Sequence, residues 1–343
     1  MGKVNNPHNN FFIKSFSVKE VAKGYLKEFL DKEIVQELDL DNYLKLQSDS
    51  FITNKLEERY ADLVYKCRFK QKKKVKGKDV YEYLFICLLF EHKSYPVKFP
   101  YLQLLSYQVN AWEKMESQKE PLRLVLPIVV YHGEKKWHHK PMTDFFHLPN
   151  EHFRRFLPIF DYVLTDLSVV SEKRIMTMKD NAMLLNALMA LKYARNTGYV
   201  EAHLSRILAY SDKYFNTDLG KNYFDILFVY INETVNLKPE KIYEIMTTLP
   251  QDIKEQTLST YQQILKLGRE EGVEQGIEQG IEQGREEGME QGIEQGREEG
   301  IEQNKVESTR NMLAANVSDS DIMKFLSVSQ EFIDDVRKNR HNE

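Results

Sequence analysis

The sequence predicts a mixed α/β core (an α+β mixed sheet), followed by an all-helical segment and a repetitive helical tail. Three observations support this. Two β-type apolar runs, at about 60–69 and 79–92, flank a lysine-rich turn. A third apolar run, at 122–131, follows a helical pattern. From about residue 172 onward, apolar residues recur at helical spacing. We expect the chain to divide into four segments: residues 1–170, 171–267, 268–303 and 304–343.

The first predicted helix covers Val18–Phe29, with Ser15 and Ser17 as candidate caps and Val21, Tyr25 and Phe29 at helical spacing. Residues 1–10 are polar and are expected to be loose. A short strand is expected within Tyr43–Ile52. The two β-type runs should then pair as an antiparallel hairpin.

A second helix is expected at Tyr101–Gln118, with its inner side formed by Leu104, Leu105, Val109 and Trp112. The nearly continuous apolar run Leu122–Tyr131 predicts a buried strand. A strand, a helix and a strand in succession predict a right-handed crossover to a parallel neighbour. Tyr162–Leu167 predicts one more strand, with Asp166 as its end cap. Four or five helices then follow.

The charge of the chain is unevenly distributed. The whole chain carries −4, but residues 268–303 carry −9 and residues 304–343 carry −1, so residues 1–267 carry +6. There is no apolar run of about 18 residues and no secretory leader pattern, so we expect a cytoplasmic protein that does not engage membranes. Cys67 and Cys87 lie in predicted strands and are expected to be buried thiols.

Two carboxylates and an ammonium are predicted to meet at the end of the hairpin. Glu91 and Lys93 alternate onto one face of their strand, and Asp62 lies on the neighbouring run. Carboxylates, with the Phe90 carbonyl as a backbone ligand, suit Mg²⁺, and a nearby lysine can orient water and offset phosphate charge. This pattern predicts a metal-dependent phosphodiesterase centre. The alternative is a strand-end salt bridge in which Lys93 balances Glu91.

The tip of the hairpin is rich in lysine. Its cationic side chains are expected to contact nucleic-acid phosphates, or alternatively to form only a solvated tip that deters edge pairing. The candidates for phosphate contact are Lys70, Lys72, Lys73, Lys74 and Lys76.

Several segments resemble one protein family. They are PHNNFFIKSFS at 7–17, RYADLVYK at 59–66, LLFEHKSYP at 88–96, LLSYQVNAWE at 104–113 and LPIVVYHGEKKW at 126–137. Their order and text resemble the Rpn (recombination-promoting nuclease), YhgA-like "putative transposase" family, a branch of the PD-(D/E)XK nucleases. The resemblance implies a restriction-endonuclease-like core with Asp62, Glu91 and Lys93 as the catalytic set. One departure is His8-Asn9, where many members have His-Asp.

The helix after the motif contains Gln103 and Tyr107, one turn apart on the same face. Several PD-(D/E)XK branches have such a pair lining the active site, so the resemblance implies a role in shaping the pocket. The alternative is a surface glutamine beside a packed tyrosine. The nearby segment His132–His139 lacks zinc-ligand spacing and is expected to be a loop near the cleft.

Residues 268–303 form nine consecutive four-residue units of the type Gly-x-Glu-Gln/Glu. Every unit contains a glycine, and each glycine destabilises an isolated helix by about 1 kcal/mol relative to alanine. Both a self-associating helix and a frayed acidic spacer remain open. Residues 305–338 predict two short helices, with Ser318-Asp319 and Ser327/Ser329 as candidate caps. These helices are expected to dock protein, because the charge of −1 disfavours contact with DNA. Their apolar set consists of Met312, Leu313, Ile322, Phe325, Leu326 and Ile333.

Taken together, these features predict a Mg²⁺-dependent DNA endonuclease, with Mn²⁺ as a substitute. The resemblance implies a role in recombination, mobile elements or phage defence. Two alternatives remain: a catalytically silent DNA-binding or assembly protein on a nuclease fold, and an RNA nuclease.

Overall fold

The computed structural model describes residues 7–47, 61–91, 96–235 and 237–339, without the side chains at 61, 62, 75, 89–91, 209, 271 and 339. The chain divides into two compact units, Met1–Ile264 and Leu265–Glu343. Each unit is described by itself below.

The first unit is built on a five-stranded mixed sheet in the order β1-β2-β3-β4-β5. The strands are β1 (Leu44–Leu46), β2 (Ala61–Val75), β3 (Lys78–Glu91), β4 (Val125–Tyr131) and β5 (Val163–Asp166). β1 and β2 are antiparallel, as are β2 and β3, whereas β4 is parallel to both β3 and β5. The predicted hairpin, parallel crossover and additional strand are therefore confirmed.

The hairpin is longer than its apolar runs suggested, because its lysine-rich segment also forms paired strand. Lys74 lies opposite Asp79, and Val75 lies opposite Lys78. The turn itself is only Lys76 and Gly77, both with positive φ. Glycine adopts this conformation without steric cost, which is why so tight a turn fits here. The register shifts between Arg68 and Lys72.

Helices cover the sheet on both faces, and strand alternation decides which residues meet them. On one face, Tyr65, Cys67 and Ile86 join a large core, to which α1 (Pro7–Phe16), α2 (Lys19–Phe29) and later helices contribute. On the other face, Val64 and Phe85 lie in a second cluster formed with α4 (Pro100–Ser117). Both cysteines are free and buried, as predicted.

The N-terminal prediction was wrong at two points. Residues 7–10, expected to be loose, belong to α1, because Phe11, Phe12 and Phe16 anchor that helix in the core. The N-cap of α2 is Val18, which makes no side-chain capping bond, so neither Ser15 nor Ser17 caps it. Only two residues separate the helices, and backbone bonds such as Ser17 N to Ile13 O span the junction. A third helix, α3 (Lys32–Glu37), precedes β1.

The inner face of α4 was predicted only in part. Leu104 is fully buried, but Leu105 and Trp112 are half-buried and Val109 is exposed. The buried face instead runs through Tyr101, Leu104, Tyr107, Gln108, Ala111 and Met115. A glutamine can lie on that face because Gln108 Nε2 donates to the Val125 carbonyl oxygen at 3.2 Å.

The remaining helices of this unit are α5 (Glu172–Met176), α6 (Ala182–Tyr193), α7 (Thr197–Ala209), α8 (Asp218–Val235), α9 (Pro239–Met246) and the start of α10 (Gln251–Ala314). Asn181 caps α6, its Oδ1 accepting from Leu184 N, and its Nδ2 donates to the Glu20 carbonyl oxygen of α2. Residues from these helices share the large core with α1 and α2.

The second unit contains the repeat and the two short C-terminal helices. The repeat lies within α10, which continues to Ala314 and is followed by α11 (Asp319–Leu326) and α12 (Gln330–Asn339). Ser318 caps α11 as predicted, and Ser329 Oγ accepts from Phe332 N. Ser327 is instead the left-handed C-cap of α11. Of the predicted apolar set, Ile322 and Ile333 are buried, whereas Phe325 is exposed.

Candidate nuclease site

The two candidate carboxylate positions lie at one end of the β2–β3 hairpin. Asp62 is the second residue of β2 and is paired with Leu89, and Glu91 is the last residue of β3. Glu91 is therefore the diagonal neighbour of Asp62, two residues beyond its partner. Such diagonal pairs lie about 7–8 Å apart. The structure describes these positions by backbone alone, and Lys93 lies outside the described residues.

The Phe90 backbone lies between these positions, opposite Ala61 on one side and Val130 on the other. Glu91 itself is paired with Tyr131, the last residue of β4. Two strands of the sheet therefore end together at this edge. The chain leaves β3 here and enters α4 at Pro100.

The first turns of α4 bring Gln103 and Tyr107 together. Gln103 Nε2 donates to Tyr107 Oη at 3.5 Å, a distance at the weak limit of a hydrogen bond. Tyr107 is only 3% exposed and lies in the same cluster as Val64, Cys87 and Tyr131. The one-face arrangement of the pair is confirmed. Its role in a pocket stays a prediction.

A polar group that sequence analysis missed surrounds the start of α4. Tyr101 Oη donates to the Lys140 carbonyl oxygen at 2.9 Å and lies 3.5 Å from Asp161 Oδ1. Burial raises the pKa of Tyr101, and the nearby Asp161 adds to the shift, so its hydroxyl remains protonated. Asp161 also lies 2.8 Å from His139 Nε2. The sequence signal was weak because sixty residues separate Tyr101 from Asp161.

The loop after β4 is held by Asp166, at the end of β5. Asp166 Oδ2 accepts from the Trp137 backbone N at 2.8 Å, and Oδ1 accepts from Ser168 N at 2.9 Å. This carboxylate therefore acts as an end cap, as predicted. His132 is buried on the other side, with its Nδ1 3.3 Å from the Leu191 carbonyl oxygen and its ring 4.8 Å from that of His8.

No group of three or more His, Cys, Asp or Glu residues is arranged to hold a metal ion among the described residues. That statement does not extend to the Asp62 and Glu91 side chains. Likewise, within the described part of the chain, no helix has the length and apolar character needed to span a membrane.

The lysines predicted to contact phosphate are not equivalent. Lys70 Nζ donates to the Gln36 carbonyl oxygen at 2.9 Å, and Lys73 Nζ pairs with Glu82 Oε1 at 2.9 Å. Lys72 Nζ instead lies 5.0 Å from the ring centre of Tyr81. Adjacent strand residues point to opposite faces, so Lys72 and Lys73 cannot serve one surface together.

Comparison with known families covers more than half of the chain. Residues 6–218 match the family described as "Putative transposase, YhgA-like". The chain belongs to this YhgA-like family. The matched range contains all five strands and the candidate carboxylate positions. The family assignment expected from the sequence is therefore confirmed.

Curated relatives of this YhgA-like chain include two Escherichia coli proteins named as recombination-promoting nucleases and one named as inactive. RpnD of strain O157:H7 is 26% identical over 131 residues, covering 38% of this chain and 46% of the relative. RpnA of strain K12 is 27% identical over 128 residues, covering 37% and 40%. The "inactive recombination-promoting nuclease-like protein RpnE" of strain K12 is 24% identical over 180 residues, covering 52% and 56%.

The matched segments thus span about half the length of these relatives. No solved structure matches the chain. At the family level, the similarity supports a nuclease function related to recombination.

Proposed function

We propose that this protein is a Mg²⁺-dependent DNA endonuclease with a PD-(D/E)XK core, acting in recombination, mobile elements or phage defence. The observation that carries the proposal is the β2–β3 register, in which Asp62 and Glu91 are diagonal neighbours at the end of two paired strands. This edge lies inside the region that matches the family.

The donor set suits magnesium. Asp62 and Glu91 would supply hard carboxylate oxygens and Phe90 a backbone carbonyl, which is the ligand chemistry that Mg²⁺ prefers. Bound magnesium lowers the pKa of its water and neutralises charge that develops on the phosphoryl oxygens. Mn²⁺ has a similar preference and is expected to substitute.

The other proposed residues would act on water and substrate. Lys93 would orient the attacking water and balance phosphate charge through its ammonium group. Gln103 and Tyr107 would shape the pocket from the start of α4, because their hydrogen-bonded pair lies on the helix that follows the motif. Val64 lies two residues after Asp62 on β2, so the two residues are on the same face of the strand. Val64 is buried on the α4 side of the sheet, which supports placing the site on that side.

The decisive experiment compares plasmid nicking by wild type, Asp62→Asn and Asp79→Asn in Mg²⁺, Mn²⁺ and EDTA. Asp79 is a matched control because it is a carboxylate at the far end of the same hairpin. We expect metal-dependent cutting by wild type and Asp79→Asn, and a loss of roughly a hundredfold or more in Asp62→Asn. Cutting that survives Asp62→Asn would mean that the centre lies elsewhere. The same assay with an RNA substrate shows whether the protein cuts DNA or RNA.

A catalytically silent DNA-binding or assembly protein is the second candidate. The longest of the three matches, over 180 residues, is to the relative named as inactive. The His8-Asn9 departure lies in α1, where His8 Nδ1 is 2.8 Å from Tyr230 Oη. α1 packs on the face of the sheet opposite α4. DNA binding by the wild type without cutting in any metal would favour this candidate.

A further inference from the structure

The α4 side of the hairpin continues beyond the end of that helix as a row of cations and tyrosines. Near the C-terminal end of α4, Trp112 Nε1 donates to the Arg123 carbonyl oxygen at 2.9 Å. Beyond that point the strand face carries charged and aromatic side chains instead of apolar ones. The cation–tyrosine row consists of Lys66, Arg68, Lys72, Tyr81, Tyr83 and Arg123.

Each tyrosine of the row is contacted by two cations. Arg68 Cζ lies 4.0 Å from the Tyr81 ring centre, and Lys72 Nζ lies 5.0 Å from it. Lys66 Nζ lies 5.0 Å and Arg123 Cζ 5.3 Å from the Tyr83 ring centre. These distances fall within the range of cation–π attraction. The rings therefore hold the cations in place along the strands.

Within the part of the chain that the structure describes, carboxylates do not balance most of this positive charge. Arg68 forms an ion pair with Asp39. Among the ion pairs between described residues, none involves Lys66, Lys72 or Arg123. A tyrosine ring attracts a cation but carries no net charge, so these three charges remain available to an anionic partner.

The position of the row relative to the candidate site is set by the strands. Lys66 is four residues along β2 from Asp62, or about 13 Å at the rise of a β-strand. One DNA strand advances about 3.4 Å per nucleotide along the helix axis, so that distance corresponds to about four nucleotides.

We propose that the cation–tyrosine row binds the phosphodiester backbone of DNA about four nucleotides from the bond that is cut. The proposal rests on the proposed function for the cleavage position, although the binding itself does not need catalysis. A linear set of cations complements a linear polyanion, and tyrosine hydroxyls also donate to phosphate oxygens. Cations already held by aromatic rings lose less side-chain entropy on binding.

The test is DNA affinity in EDTA, measured by fluorescence anisotropy with the full chain and a labelled duplex of about two helical turns. The variant Lys66→Gln/Arg123→Gln removes two cations of the row. The matched control Lys19→Gln/Lys32→Gln removes two exposed cations from helices on the opposite side of the sheet. Lys19 begins α2 and Lys32 begins α3, and both helices pack against the large core on that side.

Each contacted phosphate steepens the slope of log affinity against log salt concentration by about 0.9. One contact therefore raises the affinity about eightfold when the salt concentration falls from 1 M to 0.1 M. We expect the row variant to raise Kd by more than about tenfold at 0.1 M salt and to lower the slope by about 1.8. The control should change Kd by less than about twofold, because its cations lie on the other side of the sheet from the row and contact no phosphate there. Tyr83→Leu keeps every charge but removes the ring that holds Lys66 and Arg123 in place. It should weaken DNA binding about threefold.

Three results would overturn the proposal. They are unchanged DNA affinity in the row variant, equal weakening of DNA binding in both double variants, and binding of poly-glutamate as tight as that of DNA. Thermal unfolding of each variant identifies any loss of folding, and Tyr83→Leu then serves as the second probe. A wild type that binds DNA through the row but cuts nothing with Mg²⁺ contradicts the proposed function alone. Cutting by wild type with unchanged affinity in the row variant contradicts the present proposal alone.

Discussion

Gly220→Ala should destabilise the first unit, although alanine is the better helix former. Gly220 is the third residue of α8. A Cβ added there would lie 1.7 Å from the Tyr214 carbonyl oxygen and 2.6 Å from its carbonyl carbon. Both atoms belong to the backbone, so no side-chain rotation relieves the clash.

The neighbouring structure resists the necessary shift. An ordinary contact begins near 3.4 Å, so the distance to the Tyr214 oxygen must double. Tyr214 is anchored by hydrogen bonds of its Oη with Asn186 Nδ2 at 2.8 Å and with Ser211 Oγ at 2.9 Å. We expect a strain of about 3 kcal/mol, the upper end for overpacking, against a helix gain of about 1 kcal/mol. The net loss in the free energy of unfolding is about 2 kcal/mol.

Gly280→Ala in α10 is the matched control, because nothing lies within 4 Å of a Cβ at that position. It should stabilise the helix by about 1 kcal/mol. The two tryptophans, Trp112 and Trp137, both lie in the first unit. Their fluorescence during urea unfolding therefore measures that unit, while far-UV circular dichroism also measures α10.

We expect Gly220→Ala to lower the urea midpoint of tryptophan fluorescence and to lower the melting temperature by about 4–8 °C. Gly280→Ala should leave that midpoint unchanged and increase the helical signal. A Gly220→Ala variant that is as stable as wild type would refute the argument from close approach.

Three further predictions concern stability and reactivity. A hydrogen bond from Arg68 holds the pKa of Asp39 below its usual range, so this carboxylate stabilises the fold above about pH 3.9 and less at lower pH. The difference in urea midpoint between wild type and Asp39→Asn should accordingly be present at neutral pH and shrink toward pH 3. Asn181→Ala should lower the free energy of unfolding by about 1–2 kcal/mol in urea titration, since it removes the α6 cap and a bond to α2. Burial raises the pKa of the Cys67 thiol to about 12. Because Cys67 and Cys87 are both buried, each should react with a thiol reagent only at the rate of unfolding.

Local sequence patterns were sufficient for much of the sheet. Two β-type apolar runs flanking a turn predicted β2 and β3, and the nearly continuous apolar run ending at Tyr131 predicted a buried parallel strand. These signals are local, because side-chain periodicity follows from strand geometry. The same logic missed α1, whose polar beginning gives no helical period even though Phe11, Phe12 and Phe16 hold it in the core.

The candidate site shows where pattern analysis ends. Asp62 and Glu91 were placed on neighbouring strands from spacing, and the register then made them diagonal neighbours. The inner face of α4 was different, because the buried Gln108 is compensated by the Val125 carbonyl oxygen and hydrophobicity alone does not reveal that bond.

The sequence by itself determined the family, the β2–β3 hairpin with a parallel neighbour, and the positive charge of residues 1–267. Only the tertiary structure decided which lysines of the hairpin share a face with Tyr81 and Tyr83, and which are paired elsewhere. The physical reason is that a register shift between Arg68 and Lys72 changes which residues lie opposite one another. Partners across strands, unlike periodicity along one strand, depend on atoms that are distant in the chain.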